Sequence, residues 1–520
     1  MKYMRLRQDA DLPLDLYSTV GSEWMCAAYW PVSYDDTRAR LVKLLWSVET
    51  DLSNVEKDIA DIVTLAAPTC VHWACAVVEA TVLAHKSMSG MATTGSHSLF
   101  DFIVGRVEDI DAASLTVPKS ERAMGSIESF ARSAVRSLTW STARTALKAM
   151  FAPSAVAIAH NPVLQEYALH SDFGIAFRRG DDILRRHASA GRADPDLTRR
   201  ATEWFLVRLQ PGLDDMPKVV ERAAILLRRG VEALVTRAQS DLEALKGVSL
   251  PSVVWSGSGS KWSSRAIGLT VLRRGGEAWR FDHGGGVGLV HDPKSFNLME
   301  LCVSSAYVAN TSAAKAIYQD DLMKGMKTDC EIMAGVGDPT FRSVVRRRRT
   351  RSARPRVLYV TTIFRGIRQF HPPFLPDPLY LLWQNQIASA LAEWKLDLVL
   401  KPAPEGLLLG KSHPLASNYT TSTALFEEEL DNCDVAVFDY AHTTTFWKAM
   451  SSGIAVVLLD LGNNAIGDVV RERLIRSGCA IINATYDERG VPGINLAELR
   501  EAVLRECATS PEDFRAICAG

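Results

Sequence analysis

The sequence predicts an α/β protein with two Rossmann-like domains and a helix-rich N-terminal region. In the C-terminal part, five short apolar segments alternate with helical segments, as in a doubly wound parallel sheet. A similar alternation begins near Pro251, which predicts a second parallel sheet. The first part of the chain has apolar residues mainly at helical spacing.

The N-terminal part is assigned in two pieces. Residues 1–150 form the helix-rich region, although helical spacing recurs later, as in "AAILLRRGVEALVTRAQSDLEALKG". Residues 151–341 form the first Rossmann-like domain, which opens with the strand-like "SAVAIA" and the turn "HNP". From Pro251 onwards, "SVVW", "EAWRFDH" and "AYVAN" are predicted strands, with "RAIGLTVLRRGG" and "KSFNLMELCVSS" as helices between them.

The C-terminal domain, residues 357–520, has the most regular pattern. Its five predicted strands are "RVLYVTTI", "DLVLK", "DVAVFDY", "IAVVLLDL" and "AIINA". Ligands of such sheets bind beyond the carboxyl ends of the strands. We therefore expect the functional side chains directly after each strand.

A basic segment, residues 342–356, separates the two domains. It holds eight arginines and no acid. One interpretation is a peripheral contact of Arg346–Arg356 with an anionic membrane, since each cation near such a surface contributes about 1 kcal/mol. The other is a solvated interdomain linker. Nucleic acid is not expected, because no aromatic residues interleave with the arginines.

Composition indicates a soluble cytoplasmic protein. Hydrophobic residues make up 47%, charged residues 23%, and the net charge is -1. Nine scattered cysteines lack zinc-ligand spacing, which favours reduced thiols. The first 25 residues do not resemble a signal peptide, and stretches such as "CVHWACAVVEATVLAH" are expected to be too short to span a bilayer. We expect the protein in the cytoplasm, with the inner face of the membrane as an alternative location.

The first candidate site is "WRFDHGGGVGL". Asp282 and His283 end a predicted strand, where either could act as general base on an acceptor hydroxyl. Gly284 and Gly285 would let a substrate approach the backbone closely, or would themselves adopt positive φ. The alternative is a tight turn with a hydrogen-bonded histidine. A dinucleotide loop is not indicated, because the G-x-G-x-x-G spacing before a helix is missing.

The second candidate site is "FDYAHTTTFW". Asp439 follows a predicted strand, and a helix is predicted to begin near Thr445. Backbone N–H groups at a helix start bind anions, so His442, Thr443, Thr444 and Thr445 are candidates for a nucleotide phosphate. The alternative is a threonine N-cap without a ligand.

Two loops offer further cations to the same edge of the second sheet. Lys401, in "LVLKPAPEG", could pair with phosphate, and Glu405 with a sugar hydroxyl. Arg365, in "TTIFRGIRQFHPPF", lies after the first C-terminal strand, followed by Arg368 and His371. For both loops the alternative is a strand-end cation that reaches solvent.

Together these motifs resemble bacterial surface-carbohydrate transferases of the two-domain GT-B type. The groups concerned are capsule and O-antigen glycosyltransferases, including Kdo-transferase-like and CDP-glycerol glycerophosphotransferase-like enzymes. The resemblance covers about residues 250–470. By this resemblance, Asp282 and His283 match the base motif, and Lys401-Pro402 matches the basic-Pro loop. Asp439 with Thr443, Thr444 and Thr445 matches the hydroxyl-bearing turn. The sequence departs from the pattern in "KPAP", which lacks a His, and in the Ala-His inserted before the threonines. His413-Pro414 is an alternative source of the His-Pro pair.

The resemblance implies an inverting transfer from a nucleotide-activated donor to a glycan or lipid-linked acceptor. No cofactor is implied beyond the nucleotide-sugar or CDP-activated co-substrate. No metal is expected, because no Asp-x-Asp motif ends a strand and the acids of "PGLDDMP" lie in a helical region. A GT-B type nucleotide-sugar epimerase and a non-catalytic partner subunit of the same fold are the alternatives.

Overall fold

The computed structural model describes residues 12–16, 33–88, 93–116, 135, 137–187, 191–290, 292–324, 328–344, 354–366, 374–464, 466–487, 490–505 and 509–520. Two parallel sheets and a layer of long helices make up this part of the chain. Two pairs of two-residue strands lie outside the main sheets: Leu12–Pro13 with Thr93–Thr94, and Thr485–Tyr486 with Pro492–Gly493.

The first sheet contains six parallel strands. They are β1 (Ala155–Ala159), β2 (Ile175–Phe177), β3 (Val253–Ser256), β4 (Glu277–Phe281), β5 (Ala306–Ala309) and β6 (Glu331–Ala334). Their order across the sheet is β2-β1-β3-β4-β5-β6. The first strand therefore lies inside the sheet, and the winding direction reverses between β1 and β3.

The second sheet contains five parallel strands. They are β7 (Arg356–Val360), β8 (Asp397–Lys401), β9 (Val435–Phe438), β10 (Ala455–Asp460) and β11 (Ala480–Asn483). Their order, β8-β7-β9-β10-β11, repeats the arrangement of the first sheet. All residues of β9 and β10 are buried, which explains their continuous apolar sequence.

Helices surround both sheets. Up to the end of the first sheet they are α1 (Tyr34–Asp51), α2 (Ala60–Ser87), α3 (Ser98–Ile103), α4 (Ala112–Thr116), α5 (Ala146–Phe151), α6 (Pro162–His170), α7 (Gly180–His187), α8 (Pro195–Leu209), α9 (Val220–Lys246), α10 (Trp262–Arg273), α11 (Pro293–Met299), α12 (Ser312–Ile317) and α13 (Pro339–Arg342). The second sheet carries α14 (Asp377–Glu393), α15 (Phe426–Leu430), α16 (Thr444–Ser452), α17 (Asp468–Arg476), α18 (Leu496–Leu504) and α19 (Glu512–Cys518).

The predicted α/β fold class is confirmed, with helices and strands close to their expected bounds. Two strands were not predicted. One is β2, with only three residues, and the other is β6, an edge strand with exposed residues at both ends. Short or partly exposed strands carry little apolar periodicity, which explains why the sequence pattern did not indicate them.

The helical layer extends beyond the first 150 residues. Helices α8 and α9, inserted between β2 and β3, pack against α1 and α2. The Trp73 indole donates to Leu227 O (3.3 Å). A Cβ at Gly230 would lie 2.1 Å from Trp73 Nε1, so only glycine fits there. The helical layer is therefore built from two distant parts of the chain.

Helix α2 contacts both sheet-bearing units. Near its start, Asp61 pairs with Arg273 (2.6 Å), and Thr64 O accepts from the Arg265 guanidinium (2.7 Å). Further along the helix, burial lowers the pKa of His72 to about 4, and the charge of Arg365 adds to the shift. Since Arg365 follows β7, α2 bridges the first and second sheets.

Helix α2 is also long and apolar enough, by length and composition, to cross a membrane. It has 28 residues, with a mean hydropathy of 1.5 over its most apolar window. The expectation that all apolar stretches are too short is therefore wrong for this helix. In the structure 78% of that window is buried inside the protein.

The arginines at both ends of the interdomain segment are bound within the protein. Arg342 pairs with Glu166 (2.5 Å) and donates to Ala519 O (3.1 Å). Arg354 donates to Leu396 O (3.0 Å), and Arg356 pairs with Glu429 (2.9 Å). The remaining arginines of the expected membrane contact, from position 346 to position 351, lie outside the described residues.

The described cysteines are all free thiols, namely Cys70, Cys75, Cys302, Cys330, Cys433, Cys479 and Cys518. Six of them are buried, and Cys302 is half-buried. Cys70 and Cys75 share helix α2, and the other five lie on different elements of the fold.

Candidate functional site

Each sheet has one switch point, where strands on either side connect in opposite directions, and ligands of doubly wound sheets bind there. In the first sheet it lies between β1 and β3, and His160, Asn161 and the loop 257–261 follow these strands. In the second sheet it lies between β7 and β9, so Arg365 and the segment 439–445 surround it. Asp282 and His283 follow β4, one strand from the first switch point.

Asp282 is turned into the protein. Its side chain is completely buried, and Oδ2 accepts from the Tyr318 hydroxyl (2.5 Å) while Oδ1 accepts from His283 N (2.8 Å). Burial raises its pKa, although these hydrogen bonds oppose the shift. With both oxygens engaged inside the fold, Asp282 can orient the loop but does not face an acceptor hydroxyl.

His283 is the more accessible of the two residues. It is half-buried, and desolvation lowers its pKa, with Asp282 opposing the shift and Lys261 adding to it. A lowered pKa keeps the imidazole neutral at physiological pH, which is the protonation state of a general base. The electrostatic influence of Lys261 also shows that the start of α10 lies near His283.

The three glycines after His283 fit the boundary between the sheets. Gly284, Gly285 and Gly286 have φ values of 69, 85 and 140°, which only glycine adopts at little cost. A Cβ at Gly285 would lie 2.3 Å from Phe341 Cζ and 2.9 Å from Trp447 Cβ. The expected positive φ is confirmed. Because Gly285 has no side chain, Phe341 and Trp447 can pack against it, and the space beside it is filled by the protein itself.

Asn161 holds three strand ends of the first sheet together, whereas the sequence pattern indicated only a turn at this position. Its buried side-chain amide donates to Gly257 O (3.0 Å), Phe281 O (3.2 Å) and Asp282 O (2.8 Å). Its Oδ1 caps α6 by accepting from Val163 N (2.7 Å). Asn161 thus fixes the position of the loop that carries Asp282 and His283.

The serine-glycine loop after β3 is occupied by a carboxylate of the protein itself. Glu300 Oε2 accepts from Gly259 N (2.5 Å), and Glu300 is only 2% exposed. Burial raises the pKa of Glu300, while the bond from Gly259 N and the buried guanidinium groups of Arg280 and Arg265 oppose the shift. The backbone N–H of Gly259 is therefore already engaged by a side chain of the protein. Ser260 and Lys261, at its exposed end, remain accessible to a ligand.

In the second sheet, Asp439 is buried like Asp282. Its carboxylate accepts from the Tyr359 hydroxyl (2.8 Å) and from the Tyr380 hydroxyl (2.8 Å). Desolvation raises the pKa of Asp439 to about 6, against the effect of these donors. Asp439 therefore anchors the chain between β9 and α16.

The threonine segment starts α16 one residue earlier than predicted. Thr443 is the N-cap, and its hydroxyl accepts from Phe446 N (3.2 Å) and from the Thr445 hydroxyl (3.0 Å). Thr443 therefore caps the helix, as the capping alternative expects. Thr444 and Thr445 are half-buried at the first turn, where hydroxyl and N–H groups can meet an anion.

Arg365 and His442 belong to one stack of side chains. The Arg365 guanidinium lies 3.9 Å from the centre of the Phe374 ring. Phe374 contacts Tyr440 (4.5 Å), and Tyr440 stacks on His442 at 5.0 Å and 14°. The stack joins the loops after β7 and β9 across the switch point. Arg368 and His371, from the same sequence motif, lie outside the described residues.

Lys401 is the last residue of the edge strand β8, and Glu405 lies in the loop that follows. Lys401 is 8% exposed, and burial lowers its pKa while Glu429 and Glu427 oppose the shift. Glu427 also pairs with Lys448 of α16, so Lys401 belongs to the neighbourhood of that helix. Glu405 is exposed, and its loop is held by a bond from Leu407 N to Phe364 O (2.8 Å). The alternative His413 is buried, where its ring contacts Gln384 Oε1 at 2.9 Å.

Helices of the N-terminal layer close the second switch point, a feature that the sequence did not indicate. Burial raises the pKa of Glu79 in α2 to about 8, and Asp377 adds to the shift. Asp377 accepts from Arg365 N (2.9 Å) and Gly366 N (2.7 Å). Tyr34 of α1 lies close enough to Tyr440 for their charges to interact. Only packing between distant segments brings these groups together.

The structure thus brings several predicted residues to one boundary. Gly285 meets α16, which begins with Thr444, and Arg365 shares a stack with His442. Asp282 and Asp439 are close to these groups in sequence but point inward. Among the described residues, no group of three His, Cys, Asp or Glu side chains is arranged to hold a metal ion.

The fold and this site define an α/β protein with two parallel sheets, a helix-rich N-terminal region and polar strand-end residues at the boundary between the sheets. No model of a known protein family matches the chain, and no curated protein shows significant similarity to it.

Proposed function

We propose that this protein is a glycosyltransferase of the GT-B type, which moves a sugar from a nucleotide-activated donor to a surface-polysaccharide or lipid-linked acceptor. The observation that carries the proposal is the contact between Gly285 and Trp447. It places the loop after β4 of one sheet against the helix after β9 of the other. A two-substrate reaction can use such a boundary, with one substrate on each side.

The proposed base is His283. In the transfer, the acceptor hydroxyl gives its proton to the imidazole while its oxygen forms a bond to the anomeric carbon of the donor sugar. The bond from that carbon to the nucleotide phosphate breaks, and the phosphate keeps the electron pair. A positioned base contributes about 10²–10⁴-fold to such a step. The lowered pKa and partial exposure of His283 support this role over Asp282.

The proposed phosphate site lies at the second switch point. The first turn of α16, with Thr444 and Thr445, offers hydroxyl and N–H donors, and His442 precedes it. Arg365 and Lys401 supply positive charge from the loops after β7 and β8. Such preorganised donors stabilise the negative charge that develops on the leaving phosphate.

A thermal-shift panel with CMP, CDP, UDP, GDP and NAD tests the proposal. We expect a cytidine or uridine nucleotide to raise the Tm, because a ligand that binds only the folded protein stabilises it. The variant Thr444→Val/Thr445→Val is expected to reduce that response. A response to NAD alone would replace the transferase proposal with a redox function.

A further inference from the structure

A cavity outside the candidate site lies on the first sheet. It has a volume of about 660 Å³, within the range of pockets that hold small organic ligands. Its floor is apolar and includes Val156 and Ile158 of β1, Val254 of β3 and Ile267 of α10. These four side chains are at most 4% exposed, so the floor is a continuation of the protein core.

The rim of this cavity is basic. Arg178 and Arg179 follow β2, and Arg186 lies near the end of α7. The acid beside them, Asp182, is paired with Arg185 (2.9 Å). Within the described residues, Arg178 and Arg186 take part in no ion pair and are exposed. The rim therefore carries positive charge that complements an anion.

Exposed apolar residues continue from the cavity to the surface. Leu138 and Met150 line it and are 47% and 58% exposed. On α5, Leu147 and Phe151 are 69% and 79% exposed. A cluster of large exposed apolar side chains beside an apolar cavity is typical of a site for an apolar ligand or interface.

The arginines that follow β2 are close in the chain to a contact with helix α10. A Cβ at Gly180, directly after Arg179, would lie 3.0 Å from Ser263 Oγ. Ser263 belongs to the first turn of α10, whose N-cap is Lys261, and Lys261 influences the pKa of His283. A ligand that lies along the cavity floor would thus have its anionic end near the base proposed for transfer.

We propose that this cavity binds an alkyl or isoprenyl phosphate, with the hydrocarbon chain on the apolar floor and the phosphate at Arg178, Arg179 and Arg186. Such an amphiphile matches both the apolar floor and the basic rim. The exposed apolar side chains of α5 lie beside the cavity and extend its apolar surface for the hydrocarbon chain. The further assignment of this ligand as the carrier of the sugar acceptor rests on the proposed glycosyltransferase function, whereas the binding itself does not.

Calorimetric titration of the full chain with dodecyl phosphate, below its micelle concentration, tests the binding. We expect saturable binding at one site, with roughly tenfold weaker binding of decyl phosphate, because each buried methylene contributes to affinity. Dodecyl maltoside, which has the same chain and a neutral head, and inorganic phosphate are each expected to bind at least about tenfold more weakly.

Two variants locate the site. Arg178→Glu/Arg186→Glu reverses the charge of the exposed rim. This variant is expected to bind dodecyl phosphate at least tenfold more weakly. Ala176→Phe places a ring in the cavity from the half-buried edge strand β2 and is expected to abolish binding. The control Arg500→Glu/Arg505→Glu makes the same change of charge at two exposed arginines, one within α18 and one directly after it. Its affinity for dodecyl phosphate should equal that of the unmodified chain. Circular dichroism and Tm of each variant show whether it is folded.

Equal affinity for dodecyl phosphate and dodecyl maltoside, or unchanged affinity in folded forms of both site variants, would overturn the proposal. Binding to phosphatidylglycerol vesicles without binding to monomeric dodecyl phosphate would also overturn it, in favour of surface adsorption. The titration needs no nucleotide donor. A chain that binds dodecyl phosphate but responds to no nucleotide would therefore retain the lipid site and lose only the transferase function.

Discussion

Gly285 and Trp447 lie in contact across the boundary between the two sheets, and a Cβ on Gly285 would lie 2.9 Å from Trp447 Cβ. Gly285 follows β4 of the first sheet, and Trp447 lies in the helix that follows β9 of the second. The Cys518 thiol donates to Gly285 O (2.8 Å) from α19, the last helix. The boundary is thus a close-packed contact of three distant segments, and it holds the candidate site in place.

Replacing Gly285 with Ala tests this contact. We expect a loss of stability from two causes: about 1–2 kcal/mol for a left-handed residue with a Cβ, and about 1–3 kcal/mol for crowding against Phe341 and Trp447. Gly275→Ala is the matched control, because Gly275 also has positive φ (76°) but no atom lies within 4 Å of its Cβ position. Urea denaturation measures the free energy of unfolding of both variants. Equal losses in the two variants would show that the contact is unimportant.

Replacing His283 with Ala is expected to lower the transfer rate by about 10²–10⁴-fold, as for loss of a positioned base. In the unmodified protein the rate should fall at acid pH, with an apparent pKa below 6.5, because burial favours the neutral imidazole. The rates are measured with the donor that the nucleotide panel identifies. Full activity of the His283→Ala protein would contradict the assignment.

Replacing Asp282 with Asn is expected to affect stability more than the chemical step. The Asp282 carboxylate accepts from Tyr318 and His283 N inside the fold, and an amide nitrogen cannot accept in place of an oxygen. An unsatisfied buried donor costs about 1–3 kcal/mol, which a fall in Tm would report. If Asp282→Asn instead keeps its Tm and loses transfer as completely as His283→Ala, Asp282 is the base.

The threonines of α16 are expected to divide into two roles. Thr443→Ala removes the N-cap, so it should cost about 1 kcal/mol of stability. Thr444→Val/Thr445→Val leaves the cap hydroxyl in place and should weaken nucleotide binding in calorimetry with a smaller change in Tm. Unchanged nucleotide affinity in the valine variant would remove the phosphate site from this helix.

Glu79 is expected to make stability depend on pH. Burial raises its folded-state pKa from 4.5 to about 8, so its contribution is fully present below pH 4.5 and is lost as pH rises through 8. Between these values the free energy of unfolding should fall, relative to Glu79→Gln, by up to about 1.4 kcal/mol per pH unit. Urea denaturation at pH 5, 7 and 8.5 measures the difference. Parallel profiles for the two proteins would show that the carboxyl does not change its proton affinity on folding.

Much of the architecture could be predicted from local patterns. Continuous apolar runs such as those of β9 and β10 indicated buried parallel strands, and the threonine segment indicated the start of α16 within one residue. The strand-end positions of Lys401, Arg365 and His283 followed from the same alternation. The short strand β2 and the partly exposed β6 were not predicted, because too few of their residues show a regular apolar pattern.

The amino-acid sequence by itself determined two parallel α/β units, a helix-rich beginning and the polar residues at the strand ends. Tertiary structure alone decided which of those residues are accessible: Asp282 and Asp439 turn inward to tyrosines, while His283 and Thr444 remain partly exposed. It also decided that α2 bridges both units and that Glu300 occupies the serine-glycine loop. The physical reason is that periodicity and capping act over a few residues, whereas burial and side-chain partners depend on segments up to hundreds of residues apart.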